Sequence, residues 1–284
     1  MADIKRVDFT AVTAAADFTE SLHQTGFAVL YNHPIKKIKL ENLYQQWQVF
    51  FLKNESQKQT FAAKRNSQAG WIPPSISEIA KDFAVRDIKE FFNYFPWGVC
   101  PKDLKQITHS LFQQLQQIGN ILLNWVQQHT PIAISQCFSK PLPDMIASSP
   151  LSLFRINYYR ALNGREKKGA IRAAQHTDID LLTILTAGTT RGLQALTQDG
   201  QWHDIPCEYG NLVINIGDML QECSQKYYPS TVHRVLNPTG EASKLARMSC
   251  PMFIHPTADT VLSERYTAAT YLHQRLVEIG LIKE

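Results

Sequence analysis

The 284-residue sequence is poor in cysteine, and none of its cysteines are closely paired. Cys100, Cys137, Cys207, Cys223 and Cys250 are odd in number, widely spaced and free of any CxxC. That pattern argues against a disulfide framework or a zinc ribbon and points to a reducing, cytoplasmic compartment. Long apolar runs are also missing, since nothing approaches the roughly 18 residues of a membrane span. The first residues, MADIKRVDFTAVTAAADF, are interrupted by Asp3, Lys5, Arg6, Asp8 and Asp17, so no signal-peptide core is expected there. Charge of one sign is scarce, with a net of +4. The basic clusters KKIK (36–39) and REKK (165–168) are short and carry no interleaved aromatic platform, so neither nucleic acid nor a membrane is an expected partner. No fixed-period repeat is visible, and nothing in the pattern specifies an oligomeric state.

What is present is 44% hydrophobic residues, enough for a substantial core in one large domain or two small ones. Residues 14–24 read as an amphipathic helix stopped by Gly26, FAVLY (27–31) as a strand, and 36–53 as a second helix. Ile107, Leu111, Leu115, Ile118, Leu122 and Trp125 recur at helical spacing and form one core-facing stripe. The segment 69–82, with two prolines, reads as an irregular cover. From about residue 150 the texture changes to short β-prone runs: LSLFRINYY, LLTILTA, GLQALT, WHDIP, LVINIG, TVHRVL and RMSCPMFIH. Closely spaced strands without intervening helices predict an antiparallel sandwich or barrel. The expected division is a helical covering region over 1–149, a β core over 150–258 and a helical tail over 259–284.

Within that core, AAQHTDIDLLTIL (173–185) places His176 and Asp178 one residue apart. On a strand they would leave the same face about 7 Å apart along the backbone. His233 in YYPSTVHRVLNP is a candidate third ligand, and 14 residues beyond it Arg247 is followed at i+2 by Ser249. A guanidinium fork and a hydroxyl on one strand face suit a carboxylate. Two histidines and a carboxylate with open positions form the ligand set used by non-haem Fe(II) that must bind both oxygen and an organic ligand.

With these motifs in place, the chain resembles the Fe(II)- and 2-oxoglutarate-dependent oxygenases of the isopenicillin N synthase-like group. The resemblance runs through GFAVLYNHP (26–34), DIKEFF (87–92), INYY (156–159), HTDIDLLTIL, GLQAL, NIGDML (215–220), YYPSTVHRV and ARMSCPMFIHP. It implies a mainly β fold with flanking helices around a double-stranded β-helix, or jelly-roll, core. It implies His176, Asp178 and His233 as ligands of Fe(II). It further implies that Arg247 and Ser249, assisted by Tyr159 and Asn157, hold the distal carboxylate of 2-oxoglutarate, with O₂ as the other cosubstrate and a small molecule as substrate.

Arg160 stands where the family often has proline. Phe253 lies six positions after Arg247, on the same strand face, where it could pack on substrate or serve the core. Asp180 is read as a polar residue at the barrel rim, Asp218 as a turn residue, and Lys89 with Glu90 as a solvated face. His23, His33, His109, His129, His203, His255 and His273 are read as structural. Trp71, Phe92, Tyr94 and Trp97 would suit an aromatic lid or ordinary packing.

Two rival readings accompany the oxygenase. One is an oxidase of the same group that uses no 2-oxoglutarate and holds its substrate's own carboxylate with the same arginine. The other is a non-catalytic protein that binds a metal and a small acid.

Overall fold

The computed structural model describes residues 3–64, 67–76, 87–167, 169–198, 200–206 and 208–279. In chain order the strands are β1 (Arg6–Asp8), β2 (Phe27–Tyr31), β3 (Gly70–Ile72), β4 (Glu90–Tyr94), β5 (Leu153–Tyr159), β6 (Ala173–His176), β7 (Leu182–Thr186), β8 (Leu193–Leu196), β9 (Trp202–Asp204), β10 (Leu212–Ile216), β11 (His233–Val235) and β12 (Arg247–Ile254). They form an eight-stranded sheet in the order β1-β2-β10-β7-β12-β5-β4-β3 and a four-stranded sheet in the order β6-β11-β8-β9. All pairings between these strands except β1 with β2 are antiparallel. This is the jelly-roll architecture with flanking helices.

The central strands are the easiest to derive. LVINI of β10 is buried at every position, an apolar run broken only by Asn215 and bounded by Asn211 and Gly217. Phe27, Val29, Leu193, Ala195, Ile205, Val213 and Val235 come from both sheets and form one buried cluster between them. The outer face of the large sheet is covered by the helix Lys102–His129, which buries Leu111, Leu115, Ile118 and Leu122 of the predicted stripe. Burying each such leucine contributes about 2 kcal/mol. Gly119 allows close approach on this side, because a Cβ there would meet Ile254 Cδ1 of β12 at 3.0 Å. The helix Ala14–Thr25 ends as expected, with Gly26 at φ 74° donating its N–H to the Leu22 carbonyl.

Several expectations are corrected. The segment 69–82 is not merely an irregular cover: β3 lies within it and, with β4, extends the large sheet beyond β5. Residues 77–82 of that segment lie outside the described residues. Lys89 and Glu90 are not a solvated face. Lys89 is buried against Asp87 at 3.0 Å, and Glu90 accepts from Lys58 Nζ at 2.7 Å and from Trp71 Nε1 at 2.6 Å. Sequence shows the charges but not the partners that the strand pairing brings to them.

Of the four aromatic residues weighed for a lid, Trp71, Phe92 and Tyr94 belong to the main core, whereas Trp97 is exposed. The C-terminal helix Ala268–Glu278 starts with a reciprocal cap between Thr267 and Thr270. No helix among the described residues is long and apolar enough to cross a membrane.

Candidate active site

His176 is the last residue of β6 in the small sheet, and β7, which begins at Leu182, belongs to the large one. Asp178 therefore lies in the crossover between sheets, not on the strand assumed from sequence. The difference has a chemical consequence. An extended strand would hold the two side chains apart, whereas leaving the strand lets His176 Nε2 come within 3.8 Å of Asp178 Oδ1. His233 on β11 pairs directly opposite His176, and its Nε2 is also 3.8 Å from Asp178 Oδ1. The ligand atoms of all three residues lie within 4.8 Å of one another.

Each donor is oriented from behind. His176 Nδ1 is 2.7 Å from the Ala174 carbonyl and His233 Nδ1 is 3.1 Å from the Thr231 carbonyl. These contacts place the ring proton on Nδ1 and leave the Nε2 lone pair free. Asp178 Oδ2 accepts from Thr183 Oγ1 at 2.6 Å and Asn215 Nδ2 at 2.8 Å, while Oδ1 faces the imidazoles. Burial pushes the Asp178 carboxyl up, but His233, His176 and the two hydrogen bonds more than offset this, holding it below its ordinary value. Burial, reinforced by neighbouring His176, pushes His233 down to about 4, so it is a neutral donor at physiological pH. The His176 side chain is 39% exposed, against 6% for Asp178 and 9% for His233, so the cluster opens on the His176 side. The donor set and its orientation fit Fe(II), a borderline cation that accepts imidazole and carboxylate together.

Asp180 is not at the rim. It is fully buried behind Asp178, accepts from the Ile254 N–H at 3.0 Å and lies within 3.3 Å of the Thr183 hydroxyl through both oxygens. Burial, with the Asp178 charge beside it, raises its carboxyl well above the ordinary value. The single Thr183 proton goes to Asp178, and a neutral Asp180 can donate to the Thr183 oxygen. Asp218 is buried too, and its N–H donates to the Asp178 carbonyl at 2.7 Å. Its carboxylate accepts from Ser230 at 2.7 Å and Thr177 at 3.2 Å and lies 3.6 Å from Arg275 of the C-terminal helix. Its role is to fix the crossover.

The four residues expected to hold a carboxylate lie on two adjacent strands, β5 and β12. Arg247 pairs opposite Tyr159 and Ser249 opposite Asn157. Arg247 Nη1 donates to Ser249 Oγ at 2.9 Å, and its guanidinium lies 4.9 Å from the Tyr159 ring centroid. All four residues are buried, and Asn157 Oδ1 has no hydrogen-bond partner. Gly188 lines this well, because a Cβ there would fall 2.6 Å from Arg247 Nη2. Arg247 also borders a cavity of about 350 Å³ whose lining includes Arg6, Arg191, Asp204 and Glu208 but none of His176, Asp178 and His233, so this cavity is not the space between the arginine and the histidine cluster. A buried guanidinium with a hydroxyl beside it suits the acid end of a 2-oxo acid.

Phe253 is only half-buried and pairs with Leu153. The Arg155 guanidinium lies 5.3 Å from its ring and 4.3 Å from that of Phe91. Sequence reading missed Thr183 and Asn215, since neither carries a signal apart from its contact with Asp178. It also missed Arg172, which is fully buried.

Comparison with known proteins agrees with this geometry. The profile of the 2OG-Fe(II) oxygenase superfamily matches residues 150–256, and that of the N-terminal region of the non-haem dioxygenase in morphine synthesis matches residues 2–112. A Shewanella oneidensis protein provisionally named an oxygenase has a crystal structure 43% identical in sequence, covering 99% of this chain and 100% of its own, with a TM-score of 0.88.

The chain belongs to the 2OG-Fe(II) oxygenase superfamily.

This oxygenase is also 24% identical to gibberellin 2-beta-dioxygenase 2 of Arabidopsis thaliana over 91% of this chain and 80% of that protein. It shares its fold with a full-length Neurospora crassa protein solved in complex with alpha-KG, at 21% identity and a TM-score of 0.81, over 96% of this chain and 95% of that one. It is an Fe(II)- and 2-oxoglutarate-dependent dioxygenase that uses O₂.

Proposed function

We propose that His176, Asp178 and His233 hold the Fe(II), that Arg247 and Ser249, assisted by Tyr159 and Asn157, hold the distal carboxylate of 2-oxoglutarate, and that a small organic substrate lies against Phe253 and is hydroxylated at a C–H bond. The observation that carries the assignment is the convergence of three oriented donor atoms within 4.8 Å of one another; the buried Arg247–Ser249 pair on the large sheet supports it. When bound, Fe(II) and 2-oxoglutarate supply oxygen activation, with the 2-oxo acid leaving as succinate and CO₂.

The chain's own residues do the rest. Ala174, Thr231, Thr183 and Asn215 fix the donors before the metal arrives, so little reorganisation is left to the binding step. Arg247 and Ser249 fix one end of the cosubstrate and so aim its other end at the donor cluster. The buried wall around Asp178 and His233 excludes water from that side, which limits unproductive oxidation.

The same reading assigns the chain to the isopenicillin N synthase-like group, which the match to the N-terminal dioxygenase profile supports. It treats 150–258 as the catalytic core, 1–149 as its cover and 259–284 as its tail, within one domain. A reducing, cytoplasmic setting is supported by Cys100, Cys137, Cys223 and Cys250, all unpaired thiols.

The test is succinate formation from 2-oxoglutarate by aerobic protein reconstituted with Fe(II). Wild type is expected to produce succinate, and Asp178→Ala and His233→Ala to produce none above background. Iron-loaded wild type that forms no succinate with any small-molecule panel would refute the reading.

A further inference from the structure

Arg172, immediately before β6, is fully buried, yet no carboxylate pairs with it among the described residues. Its Nη1 donates to Thr190 Oγ1 and its Nη2 to the Leu245 carbonyl, each at 3.1 Å, and its Nε is buried without a partner. Arg247, 2% exposed, donates through Nε to the Thr190 carbonyl at 3.2 Å and likewise meets no carboxylate among the described residues. The two guanidinium groups therefore share Thr190, and both lie over the Tyr159 ring, at 5.9 Å for Arg172 and 4.9 Å for Arg247.

Two buried cations side by side without an anion are costly, because each loses hydration and repels the other. Burial and the neighbouring Arg247 push Arg172 down to about 10, which still leaves it charged at neutral pH. A purely structural staple between the Thr190 and Leu245 segments needs only neutral donors. A second positive charge gains value when an anion enters the well.

We propose that Arg172 is a positioning residue for the acid end of the cosubstrate: through Thr190 and Tyr159 it holds Arg247 in place, and it adds the second charge that makes the well selective for a 2-oxo acid with a distal carboxylate. This rests on the assignment of Arg247 to 2-oxoglutarate and extends it to a residue with no direct contact to the well's floor hydroxyl, Ser249. The selectivity is electrostatic, so it acts on the distal carboxylate and not on the end of the ligand that faces the histidine cluster.

The experiment is anaerobic calorimetric titration of the Fe(II)-loaded full chain with 2-oxoglutarate and, separately, with 2-oxopentanoate, which keeps the 2-oxo acid end and lacks the distal carboxylate. Arg172→Gln keeps hydrogen-bond donors and removes the charge, whereas Arg172→Lys keeps the charge. Arg172→Gln is expected to bind 2-oxoglutarate about tenfold more weakly and 2-oxopentanoate within about twofold of wild type. Arg172→Lys is expected to stay within about threefold of wild type for both ligands.

An equal loss of both ligands in Arg172→Gln would make Arg172 a structural staple and overturn the proposal. So would an unchanged affinity for 2-oxoglutarate, or an Arg172→Lys variant no better than Arg172→Gln. Wild type that retains iron but does not bind 2-oxoglutarate would instead overturn the cosubstrate assignment on which the proposal stands.

Discussion

Thr183 holds Asp178 from behind: its hydroxyl is 2.6 Å from Oδ2, on the side away from the two imidazoles. Together with Asn215 it fixes which carboxylate oxygen is presented to the metal. Thr183→Val keeps the shape and removes this hydrogen bond, leaving Asn215 to hold Oδ2 and the carboxylate less firmly oriented. Outer partners of this kind typically contribute 10–100-fold in metal affinity, so a loss of about that size is expected. Fe(II) or Mn(II) titration of the apoprotein checks it, and an unchanged dissociation constant would show that Thr183 serves only the fold.

Gly188 makes a separable prediction. A Cβ there would fall 2.6, 2.8 and 2.9 Å from the Nη2, Cζ and Nε atoms of Arg247, so Gly188→Ala must displace the guanidinium. Losing one aligned charge-assisted contact to a carboxylate should weaken 2-oxoglutarate binding by about tenfold or more. Metal affinity should not change, because Gly188 belongs to the arginine well and not to the donor cluster. Parallel titrations with metal and with 2-oxoglutarate distinguish the two effects.

His255 gives the folded protein a pH-dependent stability. Burial pushes its imidazole down to about 4, and its Nδ1 has no hydrogen-bond partner. The folded chain therefore holds it neutral, while the unfolded chain takes up a proton below about pH 6.5. The unfolded state binds more protons across that window, so stability falls as pH drops from about 6.5 toward 4. By pH 5 the loss from this residue is on the order of 2 kcal/mol. Urea midpoints of the apoprotein should fall between pH 8 and 5, and His255→Asn should flatten the slope; parallel curves for the two proteins would remove His255 as the cause.

Leu115 lies at the centre of the stripe that the helix Lys102–His129 presses onto the large sheet, and it is fully buried. Leu115→Ala should cost about 2–5 kcal/mol. Chemical denaturation measures this directly, and a cost under about 1 kcal/mol would mean that the helix repacks without it.

The parts of this structure that are readable from sequence are those with a period or a fixed offset. The stripe from Ile107 to Trp125 gives the long helix, and the runs that become β5, β7, β10 and β12 are apolar enough to announce buried strands. Arg247 and Ser249 are on one face because β12 is regular, so i and i+2 suffice. The histidine cluster is legible as residue types, but its geometry is not, because Asp178 lies in a crossover whose path depends on two sheets. β1 and β3 have three residues each, too few for alternation to register. Buried charges are the hardest to read. Lys89, Glu90, Asp180 and Arg172 look like surface residues until the chain brings Asp87, Lys58, Thr183 and Thr190 to them.

The most direct test of the account is anaerobic visible spectroscopy of the apoprotein titrated with Fe(II) and then with 2-oxoglutarate. A weak metal-to-ligand charge-transfer band should appear only on addition of 2-oxoglutarate. It should be absent in Asp178→Ala and should require higher 2-oxoglutarate in Arg247→Ala. An iron-loaded protein that shows no band at saturating 2-oxoglutarate, or a band unchanged in both variants, would contradict the assignment of these residues.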